Sequence, residues 1–347
     1  MQDDNDGCLG CGSSNEPLRG LGAAGLKPHV TWPDRTDIRD RVFRAFLKMV
    51  DHGPIRSIIR PRLGRLRQHD PRPLQIPPWY RMAPPVSAPK ITIVTPSLNQ
   101  AAWLEGTIQS VLQQDYPHLE YIIQDGGSSD GSVEIIERYE QHIAISDSSR
   151  DSGQANALNK GFNRSSGEIM AYLNSDDMLL PGTLNYVADF FNRHSEVDVV
   201  YGHRVLIDET DREIGRWILP PHDDYVIRRC DFIPQETLFW SRRIWEQTDG
   251  RFDERFHFAL DWDLILRFMN AGAKLVRLPR FLGAFRIHRQ QKTSSLIDEI
   301  GEREIAVLRE RCHGRSVSEE EARWQIRGYL LKHLWYHYLY TLGLLRH

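Results

Sequence analysis

The chain has 347 residues, 40% of them hydrophobic and 26% charged, with a net charge of −3, an ordinary balance for a globular protein with a sizeable core. That balance excludes fibrous and wholly disordered classes, and it lacks the overall basic surplus that nucleic-acid binding requires. Four cysteines, Cys8, Cys11, Cys230 and Cys312, are too few and too scattered for a disulfide framework, so a reducing compartment is expected.

No apolar run reaches 18 residues and the N-terminus is acidic, so neither a membrane span nor a secretory signal is expected, and the expected location is cytoplasmic. Residues 1–36 are rich in Gly, Ser, Asp and Pro without periodicity, which predicts a disordered leader. Within it Cys8 and Cys11 have the spacing of a metal or redox pair, but no second pair follows at ligand distance. Residues 37–88 form a basic extension. From Arg39 to Lys90 there are 12 Lys and Arg against 3 Asp, so the stretch carries 12 − 3 = +9. Its apolar residues fit one or two amphipathic helices, suited either to an anionic membrane surface or to packing on the catalytic domain. Seven prolines between residues 70 and 89 predict a linker.

From Lys90 onward the pattern changes. Ile91 to Thr95 is a β-branched run ending at Pro96, and Trp103 to Gln114 has helical spacing. Strands are predicted at Tyr121–Ile123, Ile143–Ile145 and Ile169–Leu173, with helices from a Ser132 cap to Tyr139 and over Gln154–Asn163. Strands alternating with helices at this pitch specify an open, mostly parallel, doubly wound α/β sheet with helices on both faces. Further on, strands are predicted at Val197–Gly202 and Val205–Asp208, a turn at Asp211–Glu213 and a helix over Asp261–Asn270. Residues 296–347 read as a helical region, whose aromatic stretch from Trp324 to Leu345 suits either packing on the domain or contact with a membrane surface.

Three acidic elements punctuate this framework. Asp176 and Asp177 follow the strand ending at Leu173, where a parallel sheet exposes its ligand-binding edge. Hard oxygen ligands there suit Mg²⁺ or Mn²⁺ bridging to a diphosphate, although adjacent Asp residues can also cap the helix opened by Pro181 and Gly182. Asp125, in the Asp-Gly-Gly-Ser-Ser-Asp loop, also ends a strand and can accept a hydrogen bond from a base or ribose. Asp261 opens a helix whose dipole is expected to lower its pKa. Asp263 can equally serve as a base, or can pair with Arg267 one turn on.

Together, Ile91 to Gln100, the Asp125 loop, Gly153-Gln154 to Gly161, Leu173 to Asp177, Gln235 and Asp261 to Arg267 resemble the family 2 glycosyltransferases with the GT-A fold. The resemblance covers about residues 89–295. It implies a Rossmann-like central sheet and inverting transfer of a sugar from a nucleotide-diphosphate donor to a hydroxyl of a glycan or lipid-linked acceptor. Thr95, Pro96, Asp125, Gln154 and Asn174 would be the nucleotide-binding residues. Asp176, with Asp177 and His288, would hold Mg²⁺ or Mn²⁺, and Arg286 would reach the diphosphate. Asp261 aligns with the catalytic base, Asp263 remains the alternative, and Gln235 would lie near the acceptor. Asn174 stands where many members carry an Asp, and Leu260 where they carry a Glu. Surface polysaccharide or glycoconjugate assembly, with peripheral contact to the inner face of the membrane, is the implied setting.

A nucleotidyltransferase of similar fold would need a Gly-rich basic loop after the first strand, and Ser97 to Ala101 has neither feature. A non-catalytic carbohydrate-binding homologue would have no use for all four acids. A dinucleotide-binding oxidoreductase is set aside for want of Gly-X-Gly-X-X-Gly.

Overall fold

The computed structural model describes residues 66–289 and 300–347; the leader, the Cys8–Cys11 pair and almost all of the basic amphipathic segment lie outside them. The seven residues of β1 (Ile91–Ser97) are all buried, as a β-branched strand covered on both faces should be. It pairs in parallel with β2 (Leu119–Asp125) on one side and β4 (Ile169–Tyr172) on the other, and β3 (Ile145–Ser148) adds to β2. Helices α1 (Leu104–Leu112), α2 (Ser132–Arg138) and α3 (Gln154–Phe162) make the crossovers. Along β1 successive side chains alternate faces: Ile91 and Ile93 join one apolar cluster with Leu104 and Leu184, while Val94 joins another with Met170, Trp240 and Trp262.

Two local expectations shift. Ser132 is the first helical residue, not the cap; left-handed Gly131 precedes it, and its Oγ donates to Asp130 Oδ1 at 2.6 Å. A 3₁₀ turn at Glu140–His142 delays the third strand, so β3 begins two residues later than predicted.

The rest of the sheet is mixed. Its remaining elements are β5 (Met178–Leu179), α4 (Thr183–Arg193), β6 (Val199–Ile207), β7 (Glu213–Trp217), α5 (Asp224–Ile227), β8 (Phe239–Ser241), α6 (Arg242–Gln247), α7 (Leu260–Asn270) and β9 (Leu275–Arg286). The strand order is β3-β2-β1-β4-β8-β6-β9-β5, with β7 on β6. β6 and β9 are parallel, whereas β4–β8, β8–β6, β5–β9 and β6–β7 are antiparallel. This is the α/β GT-A architecture, with its uninterrupted parallel ladder in the β3-β2-β1-β4 half. The two strands predicted over residues 197–208 are one. Gly202 does not break β6 but lets β9 approach, since a Cβ there would meet Arg280 O at 2.6 Å.

The Pro-rich stretch is fastened along the sheet: Gln68 N–H donates to Ile214 O, Arg72 N–H donates to Glu213 O, and Tyr80 is buried. After residue 299 come α8 (Glu302–His313), α9 (Glu319–Gln325) and α10 (Arg327–Thr341). Leu308, Tyr329 and Leu330 bind these helices to the core, while Trp324, Tyr338, Leu342 and Leu344 face outward. Among the described residues no helix is long and apolar enough to cross a membrane, and Cys230 and Cys312 are free thiols.

Candidate active site

A cleft of about 440 Å³ opens at the carboxyl edge of β1 and β4, where a parallel sheet leaves space between diverging crossovers. Pro96, Gln154, Asn174, Asp176, Gln235 and Asp261 all line it. Of the remaining expected residues, Thr95, Asp125, Asp177, Asp263, Arg286 and His288 are not among its lining groups.

The chain leaves β4 through a tight turn in which Asp177 N–H donates to Asn174 O, then enters β5. The two acids therefore cap no helix. Asp176 is partly accessible, and its Oδ2 lies 3.0 Å from His288 Nε2. His288 is buried, its ring lies against Trp103 with centroids 3.9 Å apart, and its Nδ1 has no hydrogen-bond partner. Asp177 turns the other way, 1% exposed, accepting from Arg286 N–H at 3.0 Å. Burial, then the Asp176 and Glu236 charges, push its carboxyl well above the usual range. Arg286 acts as a strut: its Nε donates to Asp176 O, and its Nη1 reaches Asp208 O and pairs with Asp211 Oδ1 at 2.5 Å.

On the strand-end side, Asp125 is fully buried. Its carboxylate accepts from the N–H of Gly127 and Ser128, from Ser128 Oγ and from Ser148 Oγ, at 2.5–3.0 Å. It holds its own loop and is not brought to the cleft. The hydroxyl of Thr95 is likewise engaged with that of Tyr121, at 3.1 Å. Facing the cleft in their place is Asp151, which accepts from Gly153 N–H at 2.9 Å. Gly126 lies close beside it: a Cβ there would come within 2.8 Å of Asp151 Oδ2, so a larger residue would displace the Asp151 side chain.

Across the floor runs a head-to-tail chain of amides. Gln154 Nε2 donates to Asn174 Oδ1 at 2.7 Å, Asn174 Nδ2 to Gln235 Oε1 at 3.0 Å, and Gln235 Nε2 to Tyr172 O at 2.7 Å. Asn174 thus both accepts and donates, which a carboxylate cannot do.

On α7, Trp262 sets the helix phase. It is fully buried and its Nε1 donates to Ile227 O at 2.7 Å, an anchor whose truncation to Ala costs about 3–5 kcal/mol. Residues two apart on a helix point about 200° apart, so with Trp262 inward, Asp261 and Asp263 diverge. Asp261 faces the cleft. Asp263 is 1% exposed and bridges Arg267 Nε at 2.8 Å and Arg311 Nη1 at 2.6 Å. The predicted lowering of the Asp261 pKa by its helix position is overturned: burial pushes it from 3.8 up to about 6, outweighing the Trp262 N–H bond and the Arg204 charge.

Two cleft residues had no motif to announce them. Asp231, in the loop that follows α5, lines the cleft beside Asp261; burial and the Asp261 charge raise its pKa well above the usual range. Arg204, from β6, is held by Glu236 through Nε and Nη2, at 2.8 and 2.5 Å, and lies over the Phe285 ring. Its side chain is only 10% exposed. For Arg204 the only sequence signal was a charged residue in a largely apolar run, and Asp231, shortly after Arg228 and Arg229, had none.

Solved structures share this architecture. Residues 1–349 of TarS from S. aureus, crystallised with UDP-GlcNAc, match with a TM-score of 0.53 and 18% identity over 70% of this chain and 71% of that one. A mannosyltransferase from Pyrobaculum calidifontis, in complex with GDP-Man and Mn²⁺, matches with a TM-score of 0.52 and 18% identity over 85% of this chain and 79% of its own. These likenesses establish the GT-A-type fold. In sequence, a PGL/p-HBAD biosynthesis glycosyltransferase of Mycobacterium bovis (strain BCG / Pasteur 1173P2) is 29% identical over 196 residues, 55% of this chain and 74% of that protein. The model of glycosyl transferase family 2 matches residues 92–266, half the chain, and the chain belongs to that family.

Proposed function

We propose that the protein transfers a sugar from a nucleoside-diphosphate donor to an acceptor hydroxyl with inversion, and that Asp261 is the general base. The observation that carries this reading is a cleft-facing Asp261 whose pKa of about 6 suits proton abstraction near neutral pH, where most of the carboxylate is ionised yet more basic than a free Asp. Asp261 accepts the proton of the acceptor hydroxyl as its oxygen attacks the anomeric carbon, and no covalent intermediate on the protein is needed.

The donor's diphosphate belongs at the β4 end of the cleft. Asp176 and His288 make a small donor set of one carboxylate and one imidazole, 3.0 Å apart. Among the described residues no three acidic, His or Cys side chains converge as a complete cage. Such a set fits Mg²⁺ or Mn²⁺, which takes a few protein ligands and fills the rest with substrate phosphates and water. When bound, the ion would supply charge neutralisation for the leaving diphosphate. Asp177 is left out of the set because its carboxyl is sealed and favours its proton. Arg286 acts through Asp176, by holding the turn that presents it.

The relative's role in PGL/p-HBAD biosynthesis, and that of a putative teichuronic acid biosynthesis glycosyltransferase of Bacillus subtilis, 36% identical over 110 residues, support a glycan or lipid-linked acceptor in glycoconjugate or surface polysaccharide assembly, with contact to the cytoplasmic face of a membrane through the outward Trp324, Tyr338, Leu342 and Leu344. The test is Asp261→Asn. Transfer should fall by about 10³-fold while UDP or GDP binding, measured by calorimetry with Mn²⁺, stays within about twofold; wild-type turnover in that variant would overturn the assignment.

A further inference from the structure

We propose that helix α8 completes the acceptor half of the active site, and that its buried Glu304 is the positioning residue that holds the Asp261-bearing end of α7. The inference rests on the reading of Asp261 given above. The residues leading into α7 form a wall of the cleft: His257, Phe258 and Ala259 before the helix line it, followed by Leu260 and Asp261 in its first turn. The first N–H groups of a helix have no partner within it, and here the cap residue, Ala259, has no side chain able to supply one.

Glu304, from a distant part of the chain, secures the bend just before the helix and, of the helix's own unpartnered N–H groups, only that of the cap residue Ala259. Its Oε1 accepts from His257 N–H at 2.8 Å, and its Oε2 accepts from Phe258 N–H at 2.9 Å and Ala259 N–H at 2.8 Å. The side chain is more than nine-tenths buried. Among the described residues it has no cationic partner, so these three N–H dipoles and the positive end of α7 balance its charge. This is a costly placement for a carboxylate whose only role is to hold a helix on the surface.

The same helix reaches the site twice more. Ile305, the next residue, lines the cleft. Two turns on, Arg311 Nη1 donates to Asp263 Oδ1 at 2.6 Å. Leu308, fully buried between them, fixes α8 to the core. Asp261 is therefore bracketed by a grip on residues 257–259 and another on residue 263. α8 lies beyond the stretch of residues 92–266 that matches the family, so the piece that sets the base comes from the part of the chain the family does not define.

The experiment uses the full chain with Glu304→Ala and Glu304→Gln. Amide hydrogen exchange should speed up at residues 257–262, with β1 to β4 unchanged. Hydrolysis of UDP-GlcNAc or GDP-mannose with Mn²⁺, with water as the acceptor, should slow by about 10- to 100-fold in the Ala variant and less in the Gln variant. UDP and GDP affinity should hold within twofold. The acid limb of the hydrolysis profile should move to lower pH, because a loosened wall lets water reach Asp261. The inference is overturned if residues 257–262 keep wild-type exchange in Glu304→Ala. It is equally overturned if hydrolysis and its pH profile are unchanged, or if nucleotide affinity falls in step with the rate. Asp261→Asn, run in parallel, separates the two readings. Hydrolysis that survives in Asp261→Asn removes the base assignment, whereas hydrolysis lost there but intact in Glu304→Ala removes the role of α8.

Discussion

The end of β4 and the start of α7 each carry two closely spaced carboxylates, and in each region one acid faces the cleft while the other is sealed in protein. At β4 the sorting is done by a tight turn, which leaves Asp176 open and buries Asp177 against the Arg286 backbone. At α7 it is done by helical phase, with Trp262 as the fixed point. The sealed partners differ in what receives them. Asp177 sits where burial and other acids raise its pKa, whereas Asp263 has two guanidinium groups waiting. Neighbouring acids in a motif are thus not interchangeable, because the backbone decides which one meets substrate.

Variants at these four positions test that comparison. The largest effect expected, after the loss of turnover in Asp261→Asn, is in Asp176→Ala: metal-dependent binding of UDP or GDP should weaken by about 10- to 100-fold, seen as the loss of a Mn²⁺-dependent step in calorimetry. Asp263→Ala should leave nucleotide affinity alone and destabilise the fold by about 2 kcal/mol in urea titration. This is less than for a fully buried pair, because Arg267 and Arg311 are partly in solvent. Asp177→Asn keeps an acceptor for Arg286 N–H and should change stability by less than about 1 kcal/mol; a collapse of donor binding there would place Asp177 among the metal ligands after all.

The remaining prediction concerns pH dependence. The Asp261 pKa is about 6 when folded against 3.8 as the reference, so the folded state holds the proton more tightly. Its contribution favours folding at low pH, declines as pH rises from about 4 to 6, and is flat above. Asp261→Asn should therefore melt slightly higher than wild type at pH 8, with the gap closing towards pH 4. The rate should fall below about pH 6, with an apparent pKa shared by Asp261 and Asp231.

Much of this was readable from residues. β1, β2, β4 and α7 declared themselves by local periodicity, and the cleft acids by standing at strand and helix ends. The divergence of Asp261 and Asp263 was also available, since it needs only helix geometry and an inward Trp262. What was not legible is non-local. Asp231 and Arg204 reach the cleft through the antiparallel half of the sheet, whose pairings no local pattern encodes. The Asp261 pKa went the other way from its helix dipole because burial is set by segments far along the chain. Asp125 stands at a strand end as expected, but its carboxylate is bonded to its own loop and to Ser148 at the end of β3, a pairing no local pattern encodes.

The amide chain from Gln154 through Asn174 and Gln235 to the Tyr172 carbonyl has a polarity, with every link donating in the same sense. An Asp at position 174 would demand hydrogens from both neighbours. Gln235 would then have to turn its amide over and face the Tyr172 carbonyl oxygen with an oxygen of its own. A change at Asn174 would be felt at once at Gln235, the far end of the amide chain. The neutral residue at 174 therefore fits the way Gln235 points, and Asn174→Asp alone, without a compensating change at Gln235, should leave one end of the cleft floor wrongly presented.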